Sequence, residues 1–215
     1  MVMMNEDALV ALITDAVLRE LRLGKNMIPA AISNRHVHLS REHVDILFGK
    51  GYELTKLKDL SQKGQFACNE KVDIVGPQGV LKGVRVLGPA RKETQVEVSI
   101  TDCYVLGLNP PVRMSGDIKG SPGGKLIGPL GEIELKEGII IAARHIHMDP
   151  ESARKLGIKD KEKVRVKVRG IRGLVFDETI VRVDNSFVNE LHLDTDEGNA
   201  AYIKNGDYVE IIKNE

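Results

Sequence analysis

Arg35-His36-Val37-His38-Leu39-Ser40 and Arg144-His145-Ile146-His147-Met148-Asp149 are two copies of one pattern, and Glu42 and Glu151 hold matching places after them. Residues i and i+2 of a strand project from the same face, so each pair of histidines points one way and the residue between them the other. Each copy reads as a strand running into a short helix. Ser40 caps the first helix; Asp149 caps the second, with Pro150 at its first position. The echo continues in Glu70-Lys71-Val72 and Glu162-Lys163-Val164, each followed by a hairpin-like stretch. It ends in Val96-Glu97-Val98 and Leu191-His192-Leu193, each shortly before Thr-Asp, which puts Glu97 and His192 at equivalent positions.

Around these copies lie short runs of Val, Ile and Leu cut by Gly, Pro and Asp, such as Val72 to Val75, Val84 to Leu87 and Val96 to Ile100. These are strand signals. Gly76-Pro77-Gln78-Gly79 and Arg169-Gly170-Ile171-Arg172-Gly173 each join two such runs and suit hairpin connections. The expected fold class is mainly β, with two β-barrels related by the repeat, short helices and an N-terminal amphipathic helix. In that helix Leu9, Leu12, Ile13, Ala16, Val17 and Leu21 fall at helical spacing, with Asn5 at the cap and Gly24 at the end.

The paired histidines form a chelating geometry. Adding the Glu97 carboxylate to His36 and His38, and the His192 imidazole to His145 and His147, gives three protein ligands per ion and leaves a fourth position open, as in catalytic zinc sites. One H-x-H is as readily a pair of polar residues facing solvent. Two copies in matching context, holding five of the six histidines with His192, argue against that reading. His43, on the first short helix, is expected to be solvated. Imidazole with one carboxylate suits zinc and would also accept cobalt or nickel. An eight-stranded α/β barrel hydrolase needs more chain and alternating helices. The H-x-H-x-D-H pattern is absent, because Ser40 and Arg41 follow Leu39.

Composition narrows the function further. The 215 residues allow one good-sized core or two small ones. Lys plus Arg and Asp plus Glu are equal at 31 each, so no global charge draws nucleic acid or an anionic membrane, and any anion site must be local. Cys68 and Cys103 make neither a disulfide framework nor a cysteine-rich metal site; both are expected to be structural, in a reducing compartment. The start lacks the basic residues of a signal peptide, and no apolar run approaches the ~20 residues of a membrane helix.

From about Pro29 to the end, the chain resembles the phosphate propanoyltransferases of bacterial microcompartments. The resemblance is carried by Ser33-Asn34-Arg35-His36-Val37-His38-Leu39-Ser40, Leu87-Gly88-Pro89-Ala90-Arg91, Thr94-Gln95-Val96-Glu97 and Arg113-Met114-Ser115-Gly116. Arg144-His145-Ile146-His147-Met148 and His192-Leu193-Asp194-Thr195-Asp196-Glu197 complete it. It implies two β-barrels with the active site between them and two zinc ions held by His36, His38, Glu97, His145, His147 and His192. It also implies that Arg91 holds phosphate and that Ser33, Lys58, Arg85, Leu87 and Asn199 surround coenzyme A. The expected domains are a helix over 1–24, one barrel from 25–34 with 143–215, and another from 35–142. The resemblance suits a homodimer in a microcompartment lumen or the cytoplasm, with the N-terminal helix reaching shell proteins as an encapsulation peptide. The same helix could instead pack on the barrels.

An arginine fork fits a tetrahedral oxyanion better than a lysine does, which agrees with Arg91 as the phosphate ligand. Ser115 is assigned a place beside it. The expected reaction interconverts propanoyl-CoA plus phosphate with propanoyl phosphate plus coenzyme A, by direct attack of phosphate and without a covalent enzyme intermediate. The rivals are an acetyl-CoA-preferring enzyme, a binuclear metal hydrolase and a non-catalytic metal-stabilised binding module.

Overall fold

The computed structural model describes residues 26–213; the expected helix over residues 1–24 lies outside the described residues. The chain begins with β1 (Met27–Ser33), β2 (His36–His38), α1 (Arg41–Phe48), β3 (Lys56–Asp59), β4 (Phe66–Val75) and β5 (Val80–Gly88). It continues through β6 (Gln95–Glu97), α2 (Ile100–Leu106), β7 (Val112–Arg113), β8 (Gly124–Ile127), β9 (Glu132–Leu135) and β10 (Ile139–Ala142). The last part holds β11 (His145–Met148), α3 (Pro150–Leu156), β12 (Lys163–Val168), β13 (Leu174–Val183), β14 (Glu190–Asp194), α4 (Thr195–Ala201) and β15 (Tyr208–Ile212). The fold is mainly β, as expected. None of the described helices is long and apolar enough to cross a membrane.

The strands form two sheets. One is a closed barrel in the order β1-β14-β11-β13-β12-β15, and β15 pairs back to β1. The other is a nine-stranded sheet, β7-β10-β6-β2-β5-β4-β8-β9 with β3 on β4. Its end strands β7 and β9 do not pair with each other, so it is a half-barrel rather than a second closed one.

The internal repeat is visible in the pairing. The order β6-β2-β5-β4 in the half-barrel matches β14-β11-β13-β12 in the barrel. In both, the H-x-H strand runs parallel to one neighbour and antiparallel to the other. The strand before each H-x-H strand belongs to the opposite sheet: β1 lies parallel to β14 in the barrel, and β10 parallel to β6 in the half-barrel. The links Asn34-Arg35 and Ala143-Arg144 therefore pass between the sheets and bring both histidine pairs to the same boundary.

Each sheet has its own core. Val37, Leu39, Ile74, Val86, Val96 and Ile139 belong to the half-barrel's, and Ile146, Met148, Val164, Val181, Leu191 and Leu193 to the barrel's. Val37 and Ile146, the residues between the paired histidines, are fully buried in them. Burying that face obliges the histidines to point away from the core. Both expected hairpins form, with Gly76 N–H donating to the Gly79 carbonyl at 2.9 Å and Gly173 N–H to Gly170 at 3.0 Å. A Cβ on Gly79 would meet the Val105 carbonyl at 2.4 Å, so only glycine lets that turn lie against α2.

Candidate active site

A cross-strand pair shares a face just as i and i+2 do, and the two relations together build the site. In the half-barrel His36 lies opposite Glu97 and His38 opposite Gln95. In the barrel His145 lies opposite His192 and His147 opposite Glu190. Each sheet thus presents a square of polar side chains, three of which are the ligands expected from sequence. The ligand atoms of His36, His38 and Glu97 lie within 4.8 Å of one another, as do those of His145, His147 and His192. His36 Nε2 stands 3.4 Å from Glu97 Oε2, and the His145 and His192 rings stack at 5.1 Å.

The protonation pattern fits a metal. His36 Nδ1 lies 2.9 Å from the Asn34 carbonyl and His145 Nδ1 2.8 Å from the Ala143 carbonyl. A carbonyl can only accept, so each Nδ1 carries the proton and each Nε2 keeps its lone pair. His38 Nδ1, His147 Nδ1 and His192 Nε2 are buried without a hydrogen-bond partner. Glu190 Oε2 stands 3.0 Å from His192 Nε2, the one carboxylate close to that nitrogen among the described residues. Burial, reinforced by the neighbouring His36, lowers His38 to about 2. Burial with His192 lowers His145 to about 4, and burial with His192 and His145 lowers His147 to about 2. Neutral imidazoles with unused buried nitrogens are what a divalent cation requires and are costly without one.

Both faces line one cavity of about 760 Å³ between the sheets. Ser33, Lys58, Arg85, Leu87, Arg91 and Ser115 line it with them. Asn199 does not; it is exposed on α4. Arg91 Nη1 donates to Ser115 Oγ at 3.1 Å, and Gln95 Nε2 donates to the same oxygen at 2.8 Å and to Glu97 Oε1 at 2.6 Å. This chain ties the arginine to the Glu97 carboxylate. Burial lowers the Arg91 pKa; Glu97 opposes the shift and Arg182 adds to it.

Several participants escaped the sequence reading. Arg182 lines the cavity 3.4 Å from His147 Nε2 and lies over the Phe187 ring at 5.3 Å. Its signal was present, a charged residue amid Ile180-Val181 and Val183, although its site partner could not be read from that run. Gln62 of the half-barrel side pairs with the Val188 carbonyl and N–H, both at 3.1 Å, and Ser61 donates to Glu190. These long-range contacts have no local signature. His43 was expected to be solvated. It is half-buried instead, its Nδ1 2.6 Å from Thr94 Oγ1, because α1 packs beside the segment that leads into β6.

The profile of the phosphate propanoyltransferase family matches residues 29–204. The chain belongs to that family. It is similar to a phosphate propanoyltransferase of Thermotoga maritima, at 52% identity over 94% of this chain and all of that one. The likeness to one of Clostridioides difficile is 54% over 84% of this chain and 87% of the relative, and to one of Listeria monocytogenes 47% over 98% of each. As a member of the phosphate propanoyltransferase family the protein is an acyltransferase of the phosphotransacylase kind, and coenzyme A as a substrate is consistent with this. All six expected metal ligands and both catalytic candidates fall within the family match.

Proposed function

We propose that this chain transfers a propanoyl group between coenzyme A and inorganic phosphate at a site that takes two zinc ions, with no acyl-enzyme intermediate. The observation that carries the reading is the pair of equivalent three-ligand faces lining one cavity with several arginines, Arg91 and Arg182 among them. His36, His38 and Glu97 would hold one ion and His145, His147 and His192 the other. Zinc bound there would supply Lewis acidity toward the thioester and the departing thiolate. Arg91 offers phosphate its planar fork, and Ser115 and Gln95 fix that fork in place. Arg182 adds a second cation, so that two anionic substrates can approach one another. A phosphate oxygen then attacks the thioester carbonyl carbon, the carbon–sulfur bond breaks, and the thiolate leaves with the bonding pair.

The residues also support direct transfer. Cys68 and Cys103 do not line the cavity, and burial pushes both thiols up to about 11. Ser115 Oγ accepts hydrogen bonds from Arg91 and Gln95, which makes it a poor nucleophile. Ser33 Oγ is 3.4 Å from His36 Nδ1, but that nitrogen's proton goes to the Asn34 carbonyl. Among the described residues no base is placed to take the proton of either hydroxyl. Lys58, Arg85, Leu87 and Ser33 are proposed around coenzyme A, with Asn199 reached only by the part of that substrate outside the cavity. The domain division into 25–34 with 143–215 and 35–142 is proposed on the strand pairings. A homodimer and encapsulation through residues 1–24 remain proposals from the resemblance.

The test is thiol release from propanoyl-CoA with and without phosphate, on protein of measured zinc content. Phosphate-dependent release, lost on chelation and restored by zinc, is the expected result. Release that ignores phosphate would point to a hydrolase, and zinc-loaded protein that releases no thiol from propanoyl or acetyl donors would point to a binding module.

A further inference from the structure

Arg35 and Arg144 stand immediately before the first ligand of each face, and the expected reaction gives neither a role. Arg35 Nη2 meets Asp102 Oδ1 at 2.8 Å, and Arg144 Nε meets Glu197 Oε1 at 2.8 Å. The two carboxylates are equivalent as well. Each is the third residue of the helix that follows the third-ligand strand, Asp102 on α2 and Glu197 on α4. Each gives its other oxygen to the N-cap backbone of that helix: Ser99 N–H donates to Asp102 Oδ2 at 3.1 Å, and Asp194 N–H to Glu197 Oε2 at 3.2 Å. The division of labour between the two oxygens is the same in both halves, although aspartate has been exchanged for glutamate and the serine cap for aspartate.

We propose that Arg35–Asp102 and Arg144–Glu197 are matched clamps, each of which sets the spacing of the three metal ligands on its own face. The inference rests on the metal reading of the two faces. Each clamp closes a short circuit. It runs from the first histidine one residue back to the arginine, across to the helix carboxylate, through the cap, and two residues back along β6 or β14 to the third ligand. His36 and Glu97 are directly opposed, as are His145 and His192, so the circuit fixes the two strands at the level of the residues that would hold the ion. The clamp also steadies the crossing link. The carbonyls of Asn34 and Ala143, which hold the Nδ1 protons, each directly precede the clamping arginine.

The arginines are 45% and 34% exposed while Asp102 and Glu197 are 3% and 19% exposed, so each pair anchors a largely buried carboxylate from its solvent side. Ligand placement responds to small disturbances, since metal–ligand distances tolerate only about 0.2 Å. A residue of this kind acts through the ligands and is a positioning residue. It should alter metal affinity about tenfold or more while leaving the fold intact.

The experiment titrates metal-free protein with cobalt(II), read from its visible spectrum, and repeats the titration with zinc against a chromophoric chelator. Glu197→Gln is the informative variant, because its amide oxygen can still accept from the Asp194 N–H while the charge that holds Arg144 is lost. The expected result is two binding steps in the unaltered protein. Glu197→Gln and Arg144→Gln should each weaken one and the same step about tenfold, with a changed cobalt spectrum for that step. Arg35→Gln should weaken the other step, and Arg35→Gln/Arg144→Gln both. Unchanged affinities and spectra in folded variants would overturn the clamps while leaving the metal sites standing, as would an equal shift of both steps in every single variant. Unaltered protein that takes up no metal would overturn the metal reading and the clamps with it.

Discussion

Among the described residues Arg91 is held in the cavity by one side-chain hydrogen bond, to Ser115, so its fork keeps donors free for an oxyanion. Losing a charge-assisted bidentate contact costs about 1.5–3 kcal/mol, so Arg91→Ala should raise the KM for phosphate ~10- to 100-fold and the KM for propanoyl-CoA far less. Steady-state kinetics with phosphate varied will check this, and an unchanged phosphate dependence would remove Arg91 from its role. Arg91→Lys should not restore activity fully, because a point charge cannot replace the fork. At this scale the sequence was unusually legible. Strand alternation forces the two histidines of each pair onto one face once Val37 and Ile146 are buried, and the repeat then points to Glu97 and His192. Gln95, read from sequence only within a family motif, and Glu190 complete the same squares, but their pairing with His38 and His147 lies across the ladder rather than along the chain. Arg182 was missed for the same reason.

At the scale of elements, the strand carrying His145 and His147 ends at a cap that does more than start a helix. Asp149 accepts from the backbones of Glu151 at 2.9 Å and Ser152 at 3.0 Å and from the Ser152 hydroxyl at 2.7 Å. Those bonds hold its carboxyl down to about 2, the Ser152 hydroxyl contributing most. Asp149→Ala should therefore cost about 1–2 kcal/mol, measured as a lower midpoint of urea unfolding. A midpoint within error of the unaltered protein would show that the cap is dispensable. Both caps and both hairpins could be read locally because Ser, Asp, Pro and Gly each act on the backbone within a few residues. The exchange of β1 and β10 between sheets depends on partners far along the chain, such as Ala30 opposite Leu191, and no local periodicity encodes that. The same holds for the half-barrel, whose open ends follow from how the remote strands β7 and β9 pair.

Across the whole molecule, two small cores flank a polar boundary where neutral histidines are buried, and this gives the metal-free protein a characteristic response to acid. An unfolded imidazole takes up a proton near pH 6.5, whereas His38, His145 and His147 in the folded chain do so only near 2, 4 and 2. Between those values the unfolded state binds more protons, so stability must fall as pH falls below about 6.5. Urea midpoints of chelated protein at pH 7.5 and 5 should show this loss. Equal midpoints would contradict the buried neutral rings. The two halves could be anticipated from the repeat, and the acyltransferase class from the resemblance, while the cross-sheet contacts of Ser61 and Gln62 required coordinates. The most direct test of the central claim, that phosphate attacks the thioester itself at a two-metal site, is isotope exchange on protein carrying a measured two zinc ions per chain. Direct transfer predicts that labelled coenzyme A enters propanoyl-CoA only when phosphate is present. Exchange of label in the absence of phosphate would reveal an acyl-enzyme and contradict the account.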